Sequence, residues 1–510
     1  MMRGMVLFCG LCIIIRGLLA QEPDAPSVAD PSLNSIDEQR LMVIRYGTDT
    51  EIANLIKTLR SEQAKDAKGD HPLDAELLDL AEKSKNRTII TGIFNYYGDR
   101  EKEGLEARAL QIIEDRDYEG AEAVNAAIDY LGKVQAAGIQ EALIRILEGE
   151  ETRYLPGAIR TLGKTAAKSD PGKTVEYLID YYTNREPGDE NRRLIISAVG
   201  DAGAKEGTAF LVSIAENEEE RVPLRIAALE GLSKIADPGG LRAIISAVSS
   251  RDPNVRSSAV GALGPFAGEE AEEAIMDSFR DSYYRTRIAA AKAAGERKLT
   301  QAVPFLRFRA ENDDVPAVRD EAIKSIALIG GDEADTILKN LFSERKNNDR
   351  IRINAGEMLL SGGSRDYTED VIIELDEARA KNQTALYNGF LRILGSAKSD
   401  KLEGLARRFF ATGGVVEKSY AIDICANNDF RSLAGELRRL ADPKNGSLSR
   451  KSLALLEKWG LSAEEPYPAV EDSGPAEEPS GPVAEDPIPK DPEYPAQMEP
   501  ISNEATDLEQ

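Results

Sequence analysis

Few side chains in this sequence have the type and spacing that catalysis requires. The chain holds a single histidine, His71, in a polar loop, so it offers neither a histidine-rich metal site nor a Ser–His–Asp triad. A stretch from Gly157 to Thr165 ends like a phosphate-binding loop, but five residues separate its glycines, one more than that motif allows. We therefore predict no catalytic residue, no cofactor and no metal ligand, and we expect a protein that is not an enzyme.

Pairs of adjacent aromatic residues are better candidates for binding a partner. Neighbouring residues on a helix point about 100° apart, so the two rings of a pair cannot both face the core. One ring of each pair is expected to be exposed as a binding anchor. The alternative is one ring packed in the core and the other partly exposed, without a partner. The candidate binding surface consists of Tyr181, Tyr182, Tyr283, Tyr284, Phe409 and Phe410.

Six arginines recur at one position of an internal repeat. Each stands eight residues before a small or apolar position, at 200, 233, 264, 295, 327 and 360, and these positions are 31 to 33 residues apart. The arginines are Arg192, Arg225, Arg256, Arg287, Arg319 and Arg352. The series continues through glycines at 98, 132, 163 and 395. A fixed period of this length indicates a repeat architecture.

Each repeat is predicted to form two helices. The first carries an Ala/Leu stripe at helical spacing, as in 225–233, and the second is amphipathic, as in 240–248. A helix pair of this size buries its apolar face only by stacking on neighbouring pairs, which gives an array rather than one compact core. We predict an all-α fold, an α-solenoid of about twelve helix pairs over residues 35–461.

The repeats resemble HEAT repeats, in particular the short bacterial HEAT-like repeats named after phycobilisome lyases. The resemblance rests on Asp252-Pro-Asn-Val-Arg256 at the start of a helix that ends at Gly264, and it is strongest over residues 190–360. It implies that the six arginines form a structural ladder between repeats, each with an aspartate of the preceding loop. An anion-binding ribbon is the alternative. The aspartates placed to pair with these arginines in the ladder are Asp252, Asp281, Asp314 and Asp349.

The two ends of the chain differ from the repeats. Residues 1–20 have the positive start and the short apolar stretch of a secretory signal peptide, and residues 21–34 are predicted to be a linker. Residues 462–510 contain 14 acids, one lysine and ten prolines, so we predict a disordered tail. Once the signal is removed, Cys425 is the only cysteine left, and its apolar surroundings predict a buried thiol.

Export and net charge narrow the expected function. The signal predicts a protein of the periplasm or cell envelope; if it stays uncleaved, it anchors the chain in the inner membrane. The net charge of -25 argues against nucleic acid, whose phosphates select basic surfaces. We therefore expect a non-enzymatic scaffold that binds a protein or peptide partner on the solenoid surface. The alternatives are a structural subunit of an envelope complex and an enzyme of the HEAT-like lyase type.

Overall fold

The structure is a computed structural model that describes residues 35–63, 70–362 and 365–462. The predicted signal peptide and linker, and all of the predicted tail except Ser462, lie outside the described residues. Every regular element of the described residues is a helix, so the predicted all-α fold is confirmed. The chain divides into two compact units, Met1–Leu433 (unit 1) and Ala434–Gln510 (unit 2), where the sequence predicts a single array over 35–461.

The described part of unit 1 contains twenty-four α-helices and five short 3-10 helices. The α-helices are α1 (Ser35–Tyr46), α2 (Asp49–Gln63), α3 (Asp74–Lys83), α4 (Arg87–Asp99), α5 (Glu106–Glu114), α6 (Ala121–Lys133), α7 (Gln140–Glu148), α8 (Leu155–Thr165), α9 (Pro171–Arg185), α10 (Asp189–Ala202), α11 (Thr208–Glu216), α12 (Val222–Ile235), α13 (Leu241–Val248), α14 (Pro253–Ala262), α15 (Glu269–Ser278), α16 (Tyr284–Glu296), α17 (Val303–Asn312), α18 (Pro316–Ile329), α19 (Asp332–Ser343), α20 (Asp349–Gly362), α21 (Thr368–Ala380), α22 (Thr384–Ser396), α23 (Leu402–Thr412) and α24 (Val415–Asn428). The 3-10 helices are Ala166–Lys168, Lys205–Gly207, Pro238–Gly240, Thr300–Ala302 and Arg431–Leu433.

The helices of unit 1 form two layers. Each even-numbered helix from α2 to α22 contacts the next even-numbered helix, and the odd-numbered helices pack against this layer. The predicted repeat positions at 98, 132, 163, 200, 233, 295, 327, 360 and 395 all lie in even-numbered helices, and position 264 lies two residues after the end of α14. The predicted helix pairs, each with an Ala/Leu-rich first helix and an amphipathic second helix, are therefore confirmed in unit 1.

Polar side chains and prolines set where many helices begin. The carboxylate of Asp252 accepts hydrogen bonds from the backbone N–H groups of Asn254 at 2.8 Å and Val255 at 3.2 Å, and Pro253 occupies the first position of α14. At the start of α2, the backbone N–H of Thr48 donates to Glu51 and the N–H of Glu51 donates back to the Thr48 hydroxyl. These caps satisfy N–H groups that have no partner inside a helix.

Glycines bring the backbones of the even-numbered helices together. A Cβ atom at Gly200 of α10 would lie 2.4 Å from the Cα of Gly231 in α12, and one at Gly163 would lie 2.6 Å from the Cα of Ala198. Both distances are shorter than a carbon–carbon contact allows, so no larger side chain fits without movement of the backbone. The repeated glycine therefore fixes a close spacing in the even-numbered layer.

The core of unit 1 runs along the array between its two layers. It consists mainly of Leu, Ile, Ala and Val side chains, with Leu263 at the end of α14 fully buried. Cys425 is buried in α24 and is not part of a disulfide, in agreement with the predicted structural thiol. No helix of the described residues is long and apolar enough to span a membrane.

A buried polar cluster lies near α3 and α4. The carboxylate of Asp74 accepts hydrogen bonds from the guanidinium of Arg100 at 3.1 Å and from the Tyr96 hydroxyl at 3.2 Å. Lys102 Nζ also donates to this carboxylate, and the Tyr97 hydroxyl donates to the backbone oxygen of Asp74 at 2.6 Å. Although burial opposes ionisation, the donors from Arg100 and Lys102 hold the pKa of Asp74 below its usual value. The cluster therefore carries a satisfied ionised carboxylate in the core.

Unit 2 is a short helical element. Its described part contains α25 (Ala434–Leu440), a 3-10 helix (Pro443–Asn445) and α26 (Ser447–Lys458). The Ser449 hydroxyl donates to the backbone oxygen of Ala441 at 2.7 Å, which ties α26 to the turn before it. Leu455, Leu456 and Trp459 are buried.

Candidate functional site

The predicted pair Phe409 and Phe410 does not belong to a binding surface. Both rings are buried in α23, with 3% and 9% of their surface exposed. The apolar stripe of α23 is wide, since Leu402, Leu405 and Ala406 are buried beside them. A helix that is covered over this much of its surface has room in the core for two adjacent rings.

Tyr283 and Tyr284 lie at the start of α16, in the even-numbered layer. Both are half-buried, and their ring centroids are 5.3 Å apart. The Tyr283 hydroxyl donates to the side-chain oxygen of Asn254 in the preceding repeat at 3.1 Å, and Arg285 Nε donates to the Tyr284 hydroxyl at 3.1 Å. This pair therefore connects neighbouring repeats and offers only part of its surface to a partner.

Tyr181 and Tyr182 lie near the end of α9, in the odd-numbered layer. Tyr181 is buried. Tyr182 is half-buried, and its ring packs edge-to-face on the half-buried Phe210 of α11, with centroids 5.0 Å apart and an angle of 79° between the rings. Such tilted pairs are the favourable geometry for aromatic rings. The two rings form one wall of a cavity between α9 and α11.

This cavity, the α9–α11 groove, is the candidate functional site. Its volume is about 870 Å³, and its lining comes from α9, the start of α10, α11 and the loops that follow α9 and α11. Tyr182, Phe210 and Ile214 supply apolar surface, while Ser213 and Asn217 supply polar groups. A volume of this size lies in the range of clefts that bind ligands in proteins.

Arg192, one of the six repeated arginines, lies in the groove wall. Its Nε and Nη2 donate to the Tyr182 hydroxyl at 3.0 and 2.6 Å, and Nη2 also donates to Glu220 at 2.9 Å. Its guanidinium carbon lies 5.1 Å from the centre of the Tyr182 ring. The hydrogen bond with Tyr182 and the negative charge of the nearby Glu220 raise the pKa of Arg192 above its usual value. The arginine therefore stays charged and holds Tyr182 in place.

Carboxylates surround the opening of the groove. Two segments contribute to the lining, residues 186–193 and 216–221, and together they carry seven acids and three arginines. Glu186, Asp189 and Glu220 line the cavity, and each of the other four acids is a sequence neighbour of a lining residue. We call the seven acids the acidic rim: Glu186, Asp189, Glu190, Glu216, Glu218, Glu219 and Glu220. All of them except the half-buried Glu220 are exposed. The groove thus combines an aromatic wall with a negatively charged opening.

The six repeated arginines connect successive repeats. Arg256 binds Asp281 from Nε at 2.7 Å, and Arg287 binds Asp313 from Nε at 2.8 Å and from Nη2 at 2.7 Å. Arg192 pairs with Glu220 and Arg352 with Glu374. Arg225 and Arg319 donate to the backbone oxygens of Ala215 and Asp313 respectively.

The direction of this ladder differs from the prediction. For Arg192, Arg256 and Arg287 the carboxylate comes from the loop that leads into the following repeat, whereas the preceding loop supplies backbone oxygens to Arg256 and Arg287. For Arg352 it comes from α21, the second helix of the same pair. Asp252 instead caps α14, because a carboxylate two residues before the helix N–H groups is placed to accept from them. Asp281 and Asp314 do bind a repeated arginine, but that of the repeat before them. Asp349 lies in the first turn of α20, and within the described residues no ion pair joins it to an arginine of the ladder.

Across the described ranges, no three or more His, Cys, Asp or Glu side chains are grouped so that they could hold a metal ion. The repeat geometry agrees with the match of a family model, described as spirochaete HEAT repeat protein, to residues 44–455. The chain belongs to this family. As a spirochaete HEAT repeat protein it contains the helix pairs that its sequence predicts.

Several solved structures are similar to this chain at low sequence identity. The karyopherin Kap121p, bound to the extreme C-terminus of the protein phosphatase Cdc14p, is 13% identical over 82% of this chain and 53% of its own, with a TM-score of 0.40. Importin beta is 12% identical over 82% of this chain and 77% of its own, with a TM-score of 0.32. An engineered protein is 16% identical over 84% of this chain and 100% of its own, with a TM-score of 0.27. This chain spans about half the length of the Kap121p structure. No curated protein is similar enough to count as a match.

Sequence reasoning identified Tyr182 and Arg192 in this HEAT repeat protein but missed Phe210 and the acidic rim. Phe210 is a single aromatic residue in an amphipathic helix, so nothing local separates it from a core residue. The rim did leave a signal, since the acid-rich segments 186–190 and 216–220 lie one repeat apart. Equivalent loops of successive repeats fall on the same edge of an array, which brings their charges together.

Proposed function

We propose that this chain is a non-enzymatic interaction scaffold, exported to the cell envelope, which holds a protein or peptide partner in the α9–α11 groove of unit 1. The observation that carries the proposal is the Tyr182–Phe210 corner, where two partly exposed rings line a cavity of about 870 Å³. Aromatic side chains in concave sites are enriched among the residues that dominate binding energy.

The architecture supports a binding role. HEAT arrays present long surfaces on which repeats contribute contacts one after another, and Arg192 fixes the orientation of Tyr182 before any partner arrives. Because a side chain that is already ordered loses little entropy on binding, more of the contact energy becomes affinity. Export rests on the signal-like sequence of residues 1–20, and an uncleaved signal would place the same scaffold at the inner membrane.

The test is crosslinking in intact cells followed by fractionation and identification of the captured envelope protein. The full chain is compared with a chain that ends at Gly460 and with the double variant Tyr182→Ala/Phe210→Ala. The matched control is Tyr118→Ala/Phe308→Ala, which removes a tyrosine and a phenylalanine that are 83% and 56% exposed outside the groove.

We expect one extracytoplasmic partner to be captured by the full chain, the shortened chain and the control, and to be lost from the groove variant. A partner that disappears with residues 461–510 would assign binding to the tail and overturn the proposed site. Capture of cytoplasmic proteins alone would overturn the proposed location.

A further inference from the structure

We propose that the α9–α11 groove selects a cationic segment of its partner, with a lysine or arginine side chain lying against the Tyr182–Phe210 corner and its charge facing the acidic rim. This inference rests on the proposed function of the groove and adds the chemistry of the partner. Three observations support it: the carboxylates of the acidic rim, the geometry of the aromatic rings, and the hydrogen bonds that already occupy Arg192.

The charges at the groove opening are unbalanced. The three arginines of segments 186–193 and 216–221 each form an ion pair with a rim acid. Arg192 pairs with Glu220, Arg193 with Glu190 and Arg221 with Asp189. Four rim acids have no basic partner within the part of the chain that the structure describes. They are Glu186, Glu216, Glu218 and Glu219. Glu186 lines the groove, and the other three flank the lining residues Asn217 and Glu220. Exposed carboxylates at and beside the opening attract a positively charged segment and accelerate its encounter with the groove.

The aromatic wall suits a cationic side chain as well. The face of an aromatic ring carries partial negative charge, so a guanidinium or ammonium group is attracted to it. The groove already shows this contact, because the Arg192 guanidinium lies over the Tyr182 ring at 5.1 Å. Phe210 has no hydroxyl to satisfy and is half-buried at the cavity wall. The aliphatic stem of a lysine or arginine can cover it while the charge stays near the rim.

Arg192 does not turn the groove into an anion site. Its Nε and Nη2 are occupied by the Tyr182 hydroxyl and by Glu220, so a phosphate or carboxylate would have to displace them to bind with two hydrogen bonds. The same anion would also approach the rim acids, which repel it. An acidic partner is therefore disfavoured at both the wall and the opening.

The test measures binding of two fluorescein-labelled peptides to the purified full chain by anisotropy at physiological salt. One peptide has six arginines separated by glycines, and the other has six glutamates in the same positions. The variants are Glu218→Gln/Glu219→Gln in the rim and Tyr182→Ala/Phe210→Ala in the wall. The matched control is Glu269→Gln/Glu273→Gln in α15, which removes two exposed carboxylates far along the chain.

We expect the arginine peptide to bind at least about ten-fold more weakly to each groove variant, because each removes either charge attraction or a ring contact. The control should bind it within about two-fold of the unchanged chain, as screened charges outside the site contribute little. Because the rim residues are exposed, their substitution leaves the core intact, and the helical circular dichroism signal verifies folding.

Three results would overturn the inference. One is an equal loss of affinity for the arginine peptide in the rim variant and in the α15 control, which would mean that the peptide is attracted only by the net negative charge of the chain. Another is binding that does not depend on the aromatic wall. The third is preference for the glutamate peptide. Suppose that Tyr182→Ala/Phe210→Ala loses the envelope partner in the crosslinking test, but the unchanged chain does not prefer the arginine peptide. Then the inference of a cationic segment is wrong, and the proposed scaffold function stands. If arginine binding requires the groove but no envelope protein is captured, the proposed function fails and the binding chemistry stands.

Discussion

Arg287 contacts the repeats on both sides of it. Its Nη1 donates to the backbone oxygens of Asp281 and Ser282 in the preceding loop, while Nε and Nη2 bind the carboxylate of Asp313 in the next one. The Asp313 side chain is fully buried and Arg287 is nearly so. A planar guanidinium with donors on two edges fits this arrangement, and the compact ammonium of lysine does not.

We predict that Arg287→Met lowers the free energy of unfolding by about 3 kcal/mol, because the buried Asp313 carboxylate loses both hydrogen bonds from Arg287. It keeps the longer contact with Arg309 Nη1 at 3.3 Å and the hydrogen bond from the Val315 N–H at 3.0 Å. The measurement is a urea titration of unit 1 unfolding, followed by circular dichroism. The matched control is Arg285→Met, where the arginine is exposed, and we expect a change within about 0.5 kcal/mol. Similar losses for the two variants would contradict a special role for the ladder position.

Acid should weaken the same ladder. Burial opposes ionisation of Asp281 and Asp313, but hydrogen bonds from Arg256 and Arg287 respectively hold the pKa of each carboxyl below its usual value. A lowered folded-state pKa gives stability that is present above the unfolded pKa, about 3.9 for aspartate, and is lost as pH falls through the folded pKa. We predict that the urea midpoint is steady near neutral pH and falls below about pH 4. In Asp313→Asn the fall should be shallower, and an unchanged profile would exclude Asp313 as a contributor.

Residue types and spacing place six arginines at one repeated position, but the structure gives these arginines different partners. Four of them pair with a carboxylate, while Arg225 and Arg319 donate to backbone oxygens. The sequence was also not enough to predict which carboxylates take part. The loops before Arg256 and Arg287 both contain aspartates, and only the packing of one repeat on the next decides which loop faces the guanidinium. Likewise the pair Phe409 and Phe410 has the same local pattern as Tyr181 and Tyr182, and the difference in burial comes from the neighbouring helices.

At the scale of the helices, small residues in the even-numbered layer decide how closely repeats stack. Gly200 and Gly231 lie in contact through their backbones, which explains why the sequence keeps glycine inside helices in spite of its conformational cost. The repeat period predicted these helices well, since the small or apolar positions from 200 to 360, which are 31 to 33 residues apart, recur at or near the end of each first helix. The α9–α11 groove was not predictable from the period, because it depends on a gap between two second helices.

We predict that Gly200→Ala lowers the free energy of unfolding by about 1–3 kcal/mol, because the added methyl group overlaps the backbone of α12. The matched control is Gly261→Ala in α14, where the added Cβ meets open space. That control should gain about 0.4–1 kcal/mol, as alanine has less entropy to lose on folding. Thermal and urea unfolding of both variants measure the difference. Stabilisation by both substitutions would show that the even-numbered layer is less closely packed than described.

For the molecule as a whole, stability is distributed along the chain of unit 1. Each helix pair contacts the pairs before and after it, so the stability of the array is the sum of repeat terms and nearest-neighbour terms. A defect in one repeat then lowers the coupling between the segments on its two sides. The array and its repeat-by-repeat stability could both be predicted from the repeat period. The division of the chain into two units after Leu433 could not, because the repeat period gives no sign of it.

We predict that Leu263→Ala costs about 2–5 kcal/mol, since Leu263 is fully buried at the end of α14. Because α14 lies in the middle of unit 1, we expect the urea unfolding curve to separate into two transitions, one for each side. Leu328→Ala, where the leucine is 43% exposed, should leave a curve of unchanged shape. A single transition with an unchanged midpoint in Leu263→Ala would show that unit 1 does not unfold as a linear array.

The forward direction of the arginine ladder also bears on how such a gene can grow or shrink. If residues 257–287 were deleted, Arg256 would precede Ile288 as Arg287 now does, and it would face Asp313 in place of Arg287. The buried Asp313 carboxylate would keep a ladder guanidinium beside that of Arg309, so loss of this one whole repeat leaves its charge paired. A deletion that does not remove whole repeats would separate Asp313 from a ladder arginine. Removal of a whole repeat thus keeps the ion pair between a repeated arginine and a buried aspartate. The need to keep buried carboxylates paired therefore favours changes in length by whole repeats.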